Sequence, residues 1–254
     1  MTTIITGANG FIGKSIKDHL LTKKKEEKIV EFNKYHYKKK LFNKIFSNNK
    51  IVKIIHCANI YKGKKKDIFK TNLDLPKKIL NFSSKKKIIF YYFNTIHNKK
   101  KIEKNIDNYF YVKSKNIFLK HCKKYVNKKK NNLSFISIKI PTVFGFNSLN
   151  RDFCSYLITN LKKNHKVTIK KPNLIRKIIY IKKFLLKFDK IFKRKKFSKK
   201  YNNFFIKEQL ILKTNELAYL LKNYIKSKSK LYPNFNIPKK IFKKKSIKFS
   251  AIIN

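Results

Sequence analysis

The sequence predicts an α/β fold, a doubly wound parallel sheet with a smaller C-terminal part, and three observations carry that prediction. Short runs of β-branched and aromatic residues alternate with stretches of helical periodicity over the first 140 residues. Strand–helix–strand units read this way. Three of only five glycines, Gly7, Gly10 and Gly13, stand at three-residue intervals between the first strand and the first helix. After Gly145 the alternation changes character, which marks off a second region.

Residues 2–6 read as a buried strand. Residues 11–22 place Phe11, Ile12, Ile16, Leu20 and Leu21 at helical spacing. A second strand follows at 28–32, then a helix-like stretch at 40–47 and a strand at 51–56. Asp67–Phe82 puts Ile68, Leu75, Ile79 and Leu80 on one helix face. Residues 85–93 form a strongly apolar strand, 111–126 a helix, and 133–140 an alternating strand. Beyond Gly145 the pattern predicts a helix at 152–163, strands at 167–169 and 176–181, and a helix at 183–192. A basic linker at 193–203 and a last helix at 215–225 complete the expectation.

A strand, a glycine-rich turn and a helix N-terminus together make an anion site. Gly7 permits the tight turn, Gly10 lets the backbone approach a pyrophosphate, and Gly13 allows close helix–strand packing. The helix N–H groups and dipole hold the diphosphate. The spacing is G-x-x-G-x-x-G, not the usual G-x-G-x-x-G, and a purely structural turn is the competing reading. The sheet is therefore read as Rossmann-type. Residues 1–145 are expected to be the dinucleotide-binding domain. Residues 146–254 are expected to be a smaller substrate-binding region, partly interleaved with the first, with a basic, weakly patterned tail from about 226 that is expected to be partly disordered. The second strand ends Val30-Glu31-Phe32-Asn33-Lys34. An acidic residue at that end bonds the ribose of NAD, whereas a basic one accommodates the 2′-phosphate of NADP. Asn33 and Lys34 occupy the position and lean towards NADP over NAD; a slipped register would bring Glu31 there instead.

The net charge of +54 is the signature of a polyanion binder or of a coding bias towards lysine. Only three of the 66 basic residues are arginine, Arg151, Arg176 and Arg194, whereas nucleic-acid sites favour the arginine fork. The charge is therefore read as solvated decoration, with no specific nucleic-acid partner. No run of 18 apolar residues spans a membrane, and no basic segment precedes the first apolar run as in a signal peptide. The cysteines, Cys57, Cys122 and Cys154, have neither zinc nor disulfide spacing, so no metal is expected. A cytoplasmic location is the expectation.

Several segments, in order, resemble the extended short-chain dehydrogenase/reductase group, the NAD-dependent epimerase/dehydratase family. They are TGANGFIG (6–13), IIHCANIYK (54–62), TNLDLPKKIL (71–80), IIFYYFNT (88–95), YVKSK (111–115), IKIPTVFG (138–145) and IRKIIYIKKFL (175–185). The last four are similar to the strand with the catalytic Ser or Thr, the Y-x-x-S-K motif, the R-x-x-x-V-[FY]-G segment and the R-D-F-[IV]-[YH]-[VI]-D-D-V segment. The threonine context and residues 71–80 and 151–164 most resemble sugar-nucleotide 4-reductases of the CDP-abequose synthase type.

The resemblance implies Thr95, Tyr111 and Lys115 as catalytic residues. Tyr111 moves the hydroxyl proton, and Lys115, on the same helical face, favours its phenolate. Tyr109/Lys113 satisfies the same spacing and stays the competing pair. Thr95 and Asn94 are expected to bond the substrate oxygen, and Arg176 its diphosphate. The cofactor is expected to contact Gly7, Asn9, Gly10, Phe11, Ile12, Gly13, Asn33, Lys34, His56, Cys57, Ala58, Asn72, Pro141 and Val143, besides Tyr111 and Lys115. His97 is a candidate second acid/base group. The implied partner is a nucleotide sugar used in surface polysaccharide synthesis, and a homodimer stays open.

Four features depart from the family. Lys182 and Lys183 replace the paired aspartates, with Lys177 replacing the one after the arginine; Lys139 replaces an arginine; an acidic residue near the adenine is absent; and the C-terminal substrate segment is short. Thr95 is followed by Ile96-His97 rather than Asp-Glu, which argues against a dehydratase. Reduction and 4-epimerisation both remain, beside a catalytically degenerate dinucleotide-binding protein.

Overall fold

The computed structural model describes residues 2–23, 28–33, 36, 39–46, 51–83, 86–95, 108–128, 132–146, 153–194, 196–197, 200–234, 245 and 249–253. Two compact units emerge: residues 1–140 with Lys187–Ile206, and residues 141–186 with 207–254.

The first unit is a six-stranded parallel sheet with helices on both faces. Its elements are β1 (Thr2–Thr6), α1 (Phe11–Lys23), β2 (Lys28–Phe32), α2 (Lys39–Phe46), β3 (Ile51–His56), α3 (Lys65–Phe69), a π-helical turn (Lys70–Asp74), α4 (Leu75–Ser83), β4 (Ile89–Thr95), α5 (Tyr109–Val126) and β5 (Ser134–Ile140). The strand order is β2-β1-β3-β4-β5 and then β9 (Tyr201–Phe205). β1 pairs with both β2 and β3, so strand order reverses at β1 and opens a crevice at the carboxyl ends of β1 and β3.

Strand alternation divides the core between the two faces. Ile4, Ile54, Phe90, Tyr92 and Phe135 share one cluster with Phe42 and Phe46 of α2, Ile79 and Leu80 of α4, and Phe118 and Cys122 of α5. On the other face Tyr91 and Phe93 meet Phe188, in the second half of α7 (Ile181–Phe192), at ring separations of 6.0 and 5.4 Å. The helix expected over Asp67–Phe82 is interrupted. Pro76 has no N–H for the carbonyl of Asn72, and the Leu75 N–H bonds to Lys70 O instead, an i→i+5 turn that buries Asn72.

The expected linker at 193–203 gives way to β9, which pairs with β5 from Phe135↔Tyr201 to Lys139↔Phe205. β9 is an edge strand and only half-buried, so it has no continuous apolar run to announce it.

In the second unit β6 (Thr142–Phe144), β8 (Ile175–Tyr180) and β10 (Leu210–Lys213) form a sheet in the order β10-β8-β6. α6 (Phe153–Lys162) and α8 (Thr214–Ile225) share its core through Leu157, Leu161, Leu217 and Leu221. A two-stranded sheet joins β7 (Val167–Thr168) to β11 (Leu231–Tyr232), so the weakly patterned tail contributes a strand and, further on, the buried Phe249 and Ile253.

Phe188→Ala is expected to lower the unfolding free energy of the first unit by about 3–5 kcal/mol, as for a fully buried aromatic. Urea titration reads this; a change within about 0.5 kcal/mol, the surface-substitution range, would mean that Lys187–Ile206 does not pack on this sheet.

Candidate active site

The glycine turn is shaped by two close approaches. Gly7 has φ +66°, and a Cβ there would lie 2.7 Å from the Cα and N of Ala58. A Cβ on Gly13 would run into the carbonyl oxygen of Gly7. Only glycine lets α1 start this close to β1 and lets the turn lie against the end of β3. The Gly10 N–H donates to Gly7 O at 2.9 Å and the Gly7 N–H to Phe32 O at 3.2 Å. The first-turn N–H groups of Phe11 and Ile12 have no carbonyl one turn earlier within the helix and form, with the turn, a cradle for an anion.

Thr6 ties the two strand ends together. Its Oγ1 accepts from the Ala58 N–H at 3.2 Å and sits 2.9 Å from His56 Nδ1, while the Cys57 N–H donates to Thr6 O at 3.1 Å. Burial, and then the Lys115 ammonium, hold the His56 pKa down at about 3, so the imidazole is neutral. Among the described residues its Nε2 is buried without a hydrogen-bond partner. Burial also pushes the Cys57 thiol far up, with Lys115 opposing.

Asn72 fixes the loop beyond β3. Its Oδ1 accepts from the Ile60 N–H and its Nδ2 donates to Ile60 O, both at 2.8 Å. Nδ2 also approaches Ser114 Oγ on α5 at 3.4 Å. The π turn thus aims one amide at the loop and at the helix bearing Tyr111.

Lys115 lies at the centre of the site. Its ammonium donates to Phe93 O near the end of β4 at 2.7 Å, and lies 4.7 Å from the Tyr92 ring centroid and 5.3 Å from that of Tyr111. Burial lowers its pKa to about 7, with Cys57 opposing. The half-buried Tyr111 meets the Tyr61 ring edge-on at 5.1 Å. The expected lowering of the Tyr111 pKa does not occur here. Burial, and then Tyr61, push the phenol well up, because the ammonium faces the ring and a carbonyl. In the competing pair, Lys113 Nζ donates directly to Tyr109 OH at 3.1 Å.

Gly7, Ala58, Cys57, His56, Lys115 and Tyr111 therefore form a continuous chain of neighbours. Thr95, buried at the end of β4, stands two residues past the carbonyl that receives Lys115; its N–H donates to Asn94 Oδ1 at 2.8 Å. Asn33 follows Phe32 at the mouth of the glycine turn. The unslipped register pairs Ile5 with Glu31, whose carboxylate is bound by Lys17 at 2.9 Å rather than presented as a ribose ligand. Asn72 grips the loop backbone. Pro141, Val143 and Arg176 belong to the second unit. There Arg176 Nε donates to Thr214 Oγ1 at 3.0 Å and the guanidinium stacks 4.1 Å over Phe153. Lys34 and His97 lie outside the described residues. Sequence reasoning missed Thr6, Tyr61 and Tyr92; the signal available was that Thr6 and Tyr61 flank the two loops that meet. Among the described residues no cluster of His, Cys, Asp or Glu could hold a metal, and no helix is long and apolar enough to cross a membrane.

The model of the NAD dependent epimerase/dehydratase family matches residues 3–202. No curated protein matches the sequence. Solved structures do. The UDP-glucose 4-epimerase of Thermus thermophilus, in complex with NAD, is 14% identical with a TM-score of 0.73, covering 92% of this chain and 86% of that one. The Thermotoga maritima UDP-glucose 4-epimerase with UDP-glucose is 14% identical with a TM-score of 0.76, covering 93% and 87%. A dTDP-4-dehydrorhamnose reductase from Clostridium acetobutylicum is 18% identical with a TM-score of 0.71, covering 93% and 84%. At these identities the likeness is one of fold.

Because the Lys115 pKa is lowered from 10.5 to about 7 on folding, the unfolded chain binds the extra proton between those values. Stability from this group therefore rises with pH across that window, and its burial penalty is complete below pH 7. Lys115→Met is expected to gain stability relative to the parent chain below pH 7, and to lose that advantage steadily towards pH 10. Paired denaturation curves measure the difference, and a flat difference would contradict a buried, titrating Lys115.

Proposed function

The chain belongs to the NAD dependent epimerase/dehydratase family, and from that premise we propose that it reduces or epimerises a nucleotide-activated sugar by hydride transfer with NADP or NAD. The observation that supports this most is that the glycine turn lies against Ala58 and Cys57, that Cys57 feels the Lys115 charge, and that Lys115 stands over the Tyr111 ring. The cradle fits a dinucleotide: a side chain on Gly7 or Gly13 would collide with backbone, and helix N–H groups face the turn. The family match and the NAD held by the Thermus epimerase support the same cofactor class.

The nicotinamide, when bound, supplies the hydride chemistry. Tyr111 keeps its proton in the protein as it stands, which suits it to donate to the oxyanion that forms when a ketosugar carbon is reduced. Reduction and 4-epimerisation both use such a donor, and the absence of Asp-Glu after Thr95 argues against dehydration. Lys115 stands over the Tyr111 ring, 5.3 Å from its centroid, and places a positive charge beside the proton donor. Thr95 orients the substrate oxygen, and Arg176 meets the sugar-nucleotide phosphates. NADP is favoured because a neutral Asn33 stands where a carboxylate would repel a 2′-phosphate. The proposed setting is surface polysaccharide synthesis.

Tyr111→Phe is expected to lower turnover of a 4-ketosugar nucleotide by about 10²–10⁴-fold while leaving dinucleotide affinity unchanged. Absorbance of the reduced cofactor and equilibrium binding read the two quantities. Dinucleotide binding without turnover of any ketosugar nucleotide, in the parent chain, would favour the degenerate reading. Asn33→Asp is expected to shift the ratio of NADP to NAD affinity towards NAD; an unmoved ratio would remove Asn33 from the ribose site.

A further inference from the structure

The second unit holds a cavity of about 420 Å³, lined among the described residues by Phe146, Tyr180, Tyr224, Lys162, Lys182 and Ile253 together with one further isoleucine. That volume lies in the range of small-molecule sites. It sits where α6, β8 and α8 end. Arg176 lies four residues back along β8 from Tyr180, about 13 Å away, so the cavity is distinct from the arginine assigned to substrate phosphate.

The lining has a definite chemistry. Phe146 stacks on Tyr224 at 5.5 Å and 23°, and meets Tyr180 edge-on at 6.4 Å. Phe146 and Tyr224 are only half-buried, and Tyr224 also meets Phe249 edge-on at 6.3 Å, so the aromatic wall reaches solvent along part of both rings. The Lys162 ammonium lies 5.6 Å from the Phe146 centroid and, like Lys182, is exposed at the rim. No carboxylate lines the cavity among the described residues, whereas Lys162 and Lys182 both border it. A lysine pair beside an aromatic wall suits a ligand that is flat at one end and anionic at the other.

We propose that this cavity binds a small planar aromatic anion of the nucleoside monophosphate class, with its ring against Phe146 and Tyr224 and its phosphate on Lys162 and Lys182. The site lies within the second unit, does not include Arg176, and gives that unit a ligand position of its own.

Titration calorimetry on the full chain at 0.15 M salt tests this with uridine and adenosine monophosphates, with the free nucleosides and with inorganic phosphate. A binding event for a monophosphate is expected, at least tenfold stronger than for its nucleoside or for phosphate. Lys162→Gln/Lys182→Gln is expected to weaken it at least tenfold, and Tyr224→Leu similarly. Lys163→Gln/Lys170→Gln, which removes two exposed charges elsewhere on the unit, is expected to leave it unchanged. The proposal is overturned if no monophosphate binds, if phosphate alone binds as well, or if the control pair weakens binding as much as the cavity pair does. Should Tyr224→Leu fail to fold, the lysine pair alone decides between these results. Tyr111→Phe keeps this event, so failure here and failure of the proposed activity read out separately.

Discussion

The approach of Gly7 to Ala58 is the constraint on which the rest of the site depends. With a Cβ forbidden there by both conformation and contact, the end of β1 can lie directly on the end of β3. Thr6 then bonds Ala58 and His56, which fixes the loop that Asn72 grips from the π turn. The same Asn72 reaches Ser114, and Ser114 precedes Lys115. A backbone contact at one strand end thereby sets the position of an ammonium on a helix more than a hundred residues later in the chain.

Burial dominates charge throughout that neighbourhood. A formal +54 would suggest that every acidic proton is easily lost, yet the Tyr111 phenol and the Cys57 thiol are both held protonated by desolvation. Lys115 suffers the reverse penalty and becomes easier to deprotonate. Among the described residues most lysines are exposed, and Lys115 is the buried exception.

β1 and β4 were legible in the sequence because they are buried on both faces and read as apolar runs, Ile4-Ile5 and Phe90-Tyr91-Tyr92-Phe93. β9 was not, because none of its five residues is fully buried and its Tyr201 and Phe204 stand among asparagines. The glycine spacing revealed the turn, but not that its partner is Ala58, since that contact joins strands fifty residues apart. The Tyr111/Lys115 pair was found by position in the helix; the direction of the Lys115 side chain, towards Phe93 O and the ring faces, depends on tertiary burial that spacing does not encode. Asn72 was expected near the cofactor, whereas its role in gripping the loop follows from Pro76, which opens the π turn around it.

Among the described residues the sheet ends on β2 at one margin and β9 at the other. An unpaired strand edge is a template for other chains to add to. Here Lys28 begins β2 exposed, and Lys200, also exposed, immediately precedes β9. Cationic side chains at both margins repel a second copy approaching edge to edge, so the lysine excess that contributes little to the crevice guards this fold against self-association through its backbone.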